Sequence, residues 1–211
     1  CTVFLGGCDM RCPFCHNWEL LDAGAPEIMD DNGLMEFLEK RQGLLDGVVF
    51  TGGEPLLRKD LLPVIERVRA MGFKIKLDTN GGHPERLREC VESGLIDYVA
   101  MDIKNSPDRY AVTVGLPAVD IKRISESVEF LIGGSVDYEF RTTVVKQFHD
   151  EESFRQIADW IEGARRYYLQ GFVDRDTVPY VGLEACSDEQ MHSFLEIVSP
   201  KVVHAELRGI D

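Results

Sequence analysis

Six short apolar runs recur along the chain. Most end at glycine or a polar residue, and stretches with helical periodicity lie between them. Thr2-Val3-Phe4-Leu5, Val48-Val49-Phe50-Thr51, Phe73 to Leu77, Asp97 to Ile103, Tyr138 to Val145 and Tyr167 to Phe172 are rich in β-branched and aromatic residues, the composition of strands. Val202 to Leu207 is a candidate last strand. Between these runs lie apolar stripes at helical spacing. Leu61, Val64, Ile65, Val68 and Met71 form one; Ile124, Val128, Leu131 and Ile132 another; Phe154, Ile157, Trp160 and Ile161 a third. Strands alternating with helices imply parallel pairing through helical crossovers. An open doubly wound sheet and a partial barrel both satisfy the pattern. With no linker, repeat or low-complexity tract, one domain is expected over 1–211.

Element ends follow from capping chemistry. Asp30 or Asp31 is expected to cap a helix over roughly 33–45 that carries Leu34, Phe37 and Leu38. Asp60 is expected to cap the next, with Gly72 ending it. A third spans about 84–93. Asp150 caps a later helix, and Ser187-Asp188-Glu189-Gln190 has the form of a capping box. Residues 18–33 and 173–186 read as loops, and 105–119 as mixed with one short helix.

The first strand ends in the most informative stretch, Cys8-Asp9-Met10-Arg11-Cys12-Pro13-Phe14-Cys15-His16-Asn17. Three thiols spaced C-x3-C-x2-C suit one soft metal centre held by a single loop. Three readings compete on spacing alone. Cys12 and Cys15 fit a redox C-x-x-C pair. Cys8, Cys12, Cys15 and His16 fit a four-ligand zinc site. The three cysteines also fit an iron–sulfur cluster with one iron left open.

The other strand ends decide among them. In parallel α/β folds functional groups gather where strands terminate. Gly52-Gly53-Glu54-Pro55 follows the second strand and Asp78-Thr79-Asn80 the third. Asp102 and Lys104 follow the fourth, and Arg141 lies in the fifth. Neither a redox pair nor a structural zinc loop needs this convergence. An interior arginine needs a partner, whereas Cys90 falls on an apolar stripe and reads as a core thiol. Cys1 and Cys186 lack partners at ligand spacing.

Charge narrows the partners. A net charge of −14 excludes a broad phosphate-backbone contact, so no nucleic acid is expected. No apolar run reaches the length of a membrane span. Six cysteines in 211 residues do not make a disulfide scaffold, and clustered thiols point to a reducing compartment, the cytoplasm. The chain opens at Cys1, so an N-terminal extension is expected to precede it.

These motifs resemble the radical S-adenosylmethionine (SAM) enzymes, specifically the glycyl-radical-enzyme activases. The cysteine spacing, Phe14, His16-Asn17 and Thr51-Gly52-Gly53-Glu54-Pro55 carry the likeness, which spans essentially the whole chain. It is most similar to activators of anaerobic ribonucleoside-triphosphate reductase, with pyruvate formate-lyase activating enzyme second. The resemblance implies a partial (β/α)6 barrel of parallel strands. It implies a [4Fe-4S] cluster on Cys8, Cys12 and Cys15, whose free iron is chelated by SAM, and one-electron cleavage to a 5′-deoxyadenosyl radical. That radical then takes a hydrogen from a glycine of a large partner enzyme, with flavodoxin or ferredoxin as electron donor. It implies that Gly52, Gly53 and Glu54 receive the cosubstrate ammonium and Lys104 its carboxylate. Phe14, His16 and Asn17 meet adenine and ribose, and Arg141 the carboxylate or ribose. Asp78, Thr79, Asn80 and Asp102 belong to the same mouth, with a monovalent cation near Asp78, Thr79 and Asp102. Pyruvate formate-lyase activases often carry a histidine after the sixth strand. Here Leu169-Gln170-Gly171-Phe172-Val173 has none, which favours the reductase branch and leaves Gln170 as its counterpart.

Overall fold

The computed structural model describes residues 1–22 and 24–209. Seven strands form one sheet in chain order: β1 (Thr2–Leu5), β2 (Gly47–Gly52), β3 (Lys74–Thr79), β4 (Tyr98–Asp102), β5 (Asp137–Val144), β6 (Tyr167–Gly171) and β7 (Ala205–Arg208). Every neighbouring pair is parallel. The crossovers carry α1 (Asp31–Glu39), α2 (Leu61–Ala70), α3 (Pro84–Glu92), α4 (Tyr110–Thr113), α5 (Ile121–Gly133), α6 (Glu151–Trp160) and α7 (Asp188–Val198). The end strands β1 and β7 do not pair with each other among the described residues. The result is a partial barrel, one strand longer than the six runs alone predict, because the candidate last strand forms.

Side-chain alternation gives the sheet two different faces. One side packs on the helices through Val48, Phe50, Ile75, Leu77, Val99, Met101, Phe140 and Leu169, all essentially buried. The helical stripes close on it, including Leu61, Ile65 and Val68 of α2, Ile124 and Val128 of α5, and Phe154 and Ile157 of α6. Phe154 stacks on Phe194 of α7 with ring centroids 4.4 Å apart. The other side of the strands is polar toward its C-terminal end. Lys76, Asp78, Asp102, Arg141, Thr143 and Gln170 line a cavity there.

Local chemistry explains most boundaries. Asp30 caps α1 by accepting from Gly33 N at 2.7 Å, and Asp150 and Ser187 both complete capping boxes. Helix α1 stops at Glu39 instead of near 45, and the chain turns through Lys40–Leu45. Asp60 does not cap α2. Its carboxylate is held by the Arg58 guanidinium two residues earlier, at 2.8 and 3.1 Å. Among the described residues, the segment expected as loop over 18–33 contains one 3-10 turn, Trp18–Leu20, which anchors Gly7 and Cys8, and α1 begins inside it at Asp31.

Candidate active site at the strand ends

The cysteine loop hangs from β1 and is pinned along its length. Gly7 N and Cys8 N donate to the Leu20 and Leu21 carbonyls at 2.7 and 3.2 Å, and Arg11 N donates to Val114 O at 2.9 Å. The Arg11 guanidinium bonds the carbonyls of Cys8 and Met10. Cys12 is buried, whereas Cys8 and Cys15 are partly exposed. Burial pushes the Cys8 thiol up to about 11 and the Cys12 thiol up to about 12. Both are therefore protonated in the metal-free protein at neutral pH, and ligation releases their protons.

The turn after β2 comes against this loop with no room to spare. Gly52 has φ +120, and a Cβ there would fall on the Leu5 backbone. At Gly53 a Cβ would sit 2.6 Å from the Gly7 carbonyl carbon and 3.2 Å from Cys8 Cβ. Gly53 N donates to Leu5 O and Glu54 N to Gly7 O, both at 2.8 Å. The double glycine is thus an extension of the β1–β2 pairing into the cysteine loop. The Gly52 carbonyl accepts from Asn17 Nδ2 at 3.3 Å.

Glu54 faces away from the cavity, unlike its neighbours. Its carboxylate is buried and accepts from Asn80 N (2.6 Å), Leu56 N (3.0 Å) and Thr79 Oγ1 (2.9 Å). Burial pushes its acid up to about 7, against the pull of those donors. The Glu54 side chain thus joins β2 to the end of β3, where the sequence placed it among ligand contacts. The Thr79 hydroxyl is engaged by Glu54 in the same way.

On β3, β4 and β5 the charged side chains form a chain of ion pairs. Arg141 Nε donates to Asp102 Oδ1 at 2.8 Å and its NH1 to Asp78 Oδ2 at 3.1 Å. Lys104 Nζ lies 2.9 Å from Asp102 Oδ2, and Lys76 Nζ 3.1 Å from Asp78 Oδ1. The Lys76 contact lacks hydrogen-bond geometry, so Asp78 Oδ1 has no hydrogen-bond partner. Burial works to raise the Asp102 acid, but Arg141 and Lys104 outweigh it and hold the carboxyl well below its usual range. Burial likewise opposes the Lys104 charge, and the Asp102 carboxylate more than restores it. The Lys104 backbone is steadied by Tyr110 Oη on its N–H at 3.3 Å and His149 Nε2 on its carbonyl at 2.9 Å.

Together these elements enclose a cavity of about 470 Å³. Of the residues singled out from sequence, Cys8, Cys12, Phe14, Cys15, His16, Asn17, Gly52, Gly53, Asp78, Thr79, Asn80, Asp102, Lys104, Arg141 and Gln170 line it; Glu54 does not. His16 does not join the cysteines. Its Nε2 lies 2.7 Å from Val173 O and its ring stacks on Phe172. Among the described residues no three His, Cys, Asp or Glu side chains converge as one bound ion requires.

Sequence reasoning missed five contributors. Lys76 was readable, because it lies two residues before Asp78 and so on the same strand face. Phe4 and Thr143 line the cavity by the same alternation. Asp9 and His83 carried no local signal; they meet across 74 positions, His83 Nε2 standing 2.9 Å from Asp9 Oδ2.

The fold and site define a class: parallel-barrel enzymes with a three-cysteine loop facing a glycine turn and an ion-paired wall. A family pattern described as the radical SAM superfamily matches residues 2–161, and the chain belongs to that superfamily. One similar protein, from Methanocaldococcus jannaschii, carries the provisional name of a glycyl-radical enzyme activating enzyme. It is 36% identical over 184 residues, covering 83% of this chain and 73% of its own. The 7-carboxy-7-deazaguanine synthase of Thermococcus kodakarensis is 32% identical over 123 residues, 49% of this chain and 48% of its own, so the match spans about half that relative's length. Among solved structures, Streptococcus suis SuiB bound to S-adenosylmethionine superposes with a TM-score of 0.73 at 14% identity, covering 99% of this chain and 50% of that one. A domain of a pyruvate-formate lyase-activating enzyme from Bacteroides vulgatus gives 0.63 at 19% identity, covering 77% and 99%. At those identities the likeness is one of fold.

The family brings a [4Fe-4S] cluster and SAM, and the residues present fit both. Three thiols of one loop open on the cavity. Beside them two glycines stand where any side chain would collide with the backbone, so that main-chain groups line that part of the site. Lys104, paired on one side with Asp102, places a cation beside the thiols on the same cavity wall.

Proposed function

We propose that this chain is a glycyl-radical-enzyme activase, removing a hydrogen atom from a glycine of a large partner protein. The observation that carries the reading is the likeness to the Methanocaldococcus jannaschii protein over most of both chains. The cluster and cosubstrate, when bound, supply one-electron cleavage of the sulfonium–carbon bond and the 5′-deoxyadenosyl radical that takes the hydrogen. The chain's own residues bind and orient. Cys8, Cys12 and Cys15 hold the cluster. Backbone groups at Gly52 and Gly53 face the cosubstrate ammonium, Lys104 its carboxylate, and Arg141 the carboxylate or ribose. Asn17 steadies the Gly52 carbonyl, and His16, pressed on Phe172, closes the adenine side.

Finer points belong to the same reading. The partner is anaerobic ribonucleoside-triphosphate reductase, supported by the missing histidine after β6, where Gln170 lines the cavity instead. A flavodoxin or ferredoxin supplies the electron, in the cytoplasm. No helix among the described residues is long and apolar enough to cross a membrane. A monovalent cation sits near Asp78, Thr79 and Asp102; what supports it is the Asp78 Oδ1 atom, which accepts no hydrogen bond although Lys76 Nζ stands 3.1 Å from it. Thr79 would serve it through its main chain, since its hydroxyl is engaged elsewhere.

The test is anaerobic reconstitution with iron, sulfide, SAM and a strong reductant, followed by mixing with candidate glycyl radical enzymes. Release of 5′-deoxyadenosine together with a glycyl radical signal on the reductase supports the proposal. A signal on pyruvate formate-lyase alone moves the chain to that branch. A second reading, action on a small molecule, draws on the deazaguanine synthase likeness. It gains if the radical chemistry proceeds but no protein partner acquires a signal.

A further inference from the structure

Cys8 is one member of a closed ring of contacts. Along the chain the ring runs Gly7, Cys8, Asp9. Asp9 Oδ1 accepts from Asn80 Nδ2 at 2.9 Å. Asn80 N donates to Glu54 Oε2 at 2.6 Å, and Glu54 N donates back to Gly7 O at 2.8 Å. The other Asp9 oxygen meets His83 Nε2 at 2.9 Å. The ends of β2 and β3 therefore converge on the two residues that flank one cysteine after β1.

His83 is unusual for its position. It stands at the N-cap of α3, where Ser, Thr, Asp or Asn would normally accept from the first turn. Its side chain makes no cap hydrogen bond; the ring reaches instead to Asp9. Pro84 follows at the first helical position and supplies no N–H to be capped. Asn80 is also fixed from both sides, since Gly82 N donates to its Oδ1 at 2.8 Å while its Nδ2 serves Asp9. The amide orientation is thus determined by its partners. The contacts are charge-assisted at Asp9 and buried at Glu54, the two conditions under which hydrogen bonds fix geometry most strongly.

The ring fixes a spacing. Cys8 Cβ lies so near Gly53 that a methyl there would be 3.2 Å away, and Glu54, next in sequence, closes the ring. We infer that Asp9 and His83 are positioning residues: they lock the Cys8 thiol against the Gly52–Gly53 turn, holding one cluster corner at a set distance from the cosubstrate's amino acid end. The inference rests on the cluster and SAM being bound here, and is independent of which partner supplies the glycine.

The experiment compares reconstituted full-length Asp9→Ala, Asp9→Asn, His83→Ala and the double alanine variant with the unaltered protein. Three quantities are read: iron per chain, thermal melting of the apoprotein, and the SAM dissociation constant, taken from the change in the reduced cluster's EPR spectrum as SAM is added. Asp9→Ala and His83→Ala are expected to keep full iron and apoprotein melting while SAM binds about tenfold more weakly or worse, the scale for losing a hydrogen bond to a charged group. Asp9→Asn, which can still accept from Asn80 and donate to a neutral imidazole, is expected to recover most of the loss. The double variant should be no weaker than Asp9→Ala, because His83 acts on the ring only through Asp9. Unchanged binding in both alanine variants, additive losses, or failure of Asn to rescue would each overturn the inference. So would loss of iron in Asp9→Ala, which would make its role retention of the cluster. If Asp9→Ala does not fold, His83→Ala and Asp9→Asn carry the comparison. A null EPR response in the unaltered protein would sink the cosubstrate reading, and this inference with it.

Discussion

Arg141 and Asp102 sit on adjacent strands at paired register positions, and the Arg141 Nε donates to the Asp102 carboxylate at 2.8 Å. The same guanidinium reaches Asp78 at 3.1 Å, so one cation joins the ends of β3, β4 and β5. Both groups of the pair are largely shielded, at 15% and 28% side-chain exposure. Removing one partner of a shielded pair leaves the other uncompensated, which costs about 3–5 kcal/mol when burial is deep. Arg141→Ala is therefore expected to lower apoprotein stability by about 2 kcal/mol, below that range because Asp102 keeps Lys104, Asp78 keeps Lys76 and the site opens to solvent. Arg141→Lys should recover little of it, since a point charge cannot span two carboxylates as a fork does. Urea unfolding of the apoprotein measures both.

Glu54 gives the fold a pH dependence of definite sign. Its acid is pushed from 4.5 to about 7 by burial, so the folded state binds a proton more tightly than the unfolded state does. That contribution is fully present below about pH 4.5 and is lost as pH rises to about 7. Glu54→Gln abolishes the titration while keeping the shape. The stability of the unaltered protein relative to Glu54→Gln should therefore fall by about 3 kcal/mol between those limits. Parallel stability curves for the two proteins would show that Glu54 does not titrate in this window.

The three thiols should prove unequal before the cluster is loaded. Cys12 is buried and its thiol pushed up to about 12, whereas Cys15 is partly exposed. Alkylation of the folded apoprotein near pH 8 is expected to label Cys15 first and Cys12 last, as peptide mapping over time will show. Replacing any of Cys8, Cys12 or Cys15 with alanine should abolish 5′-deoxyadenosine release. Release that survives in Cys12→Ala would remove the cluster from that loop.

Much of this site can be read from the sequence because its logic is local. A strand read by composition ends where its composition ends, and parallel pairing brings those ends to one side; Gly52, Asp78, Asp102 and Arg141 follow from that alone. What escaped were contacts that skip across the chain. Asp9 finds Asn80 and His83 over separations of 71 and 74 residues, and no periodicity marks them. Glu54 was misdirected for a different reason. It follows two glycines, where the backbone is free to turn a side chain either way, and the donors at Thr79 and Asn80 that draw it inward lie on another strand. Asp60 shows competition at short range: Arg58, two residues before it, takes the carboxylate that would have capped α2.

The separation of the two glycines from the cysteine loop leads to the sharpest expectation. At Gly53 an added Cβ would fall on the Gly7 carbonyl, a backbone group already bonded to Glu54 N. Neither side can yield without breaking that bond, because both belong to paired main chain. Gly53→Ala should therefore push the turn away from Cys8, loosen the cluster and weaken SAM binding together. Gly72, which also has positive φ, is the control: nothing lies within 4 Å of a Cβ built there. Gly72→Ala should cost only the strain of its backbone conformation, about 1–2 kcal/mol, and leave iron content and SAM affinity unchanged. If Gly53→Ala binds four irons and SAM as the unaltered protein does, then close approach of the turn is not what assembles the site.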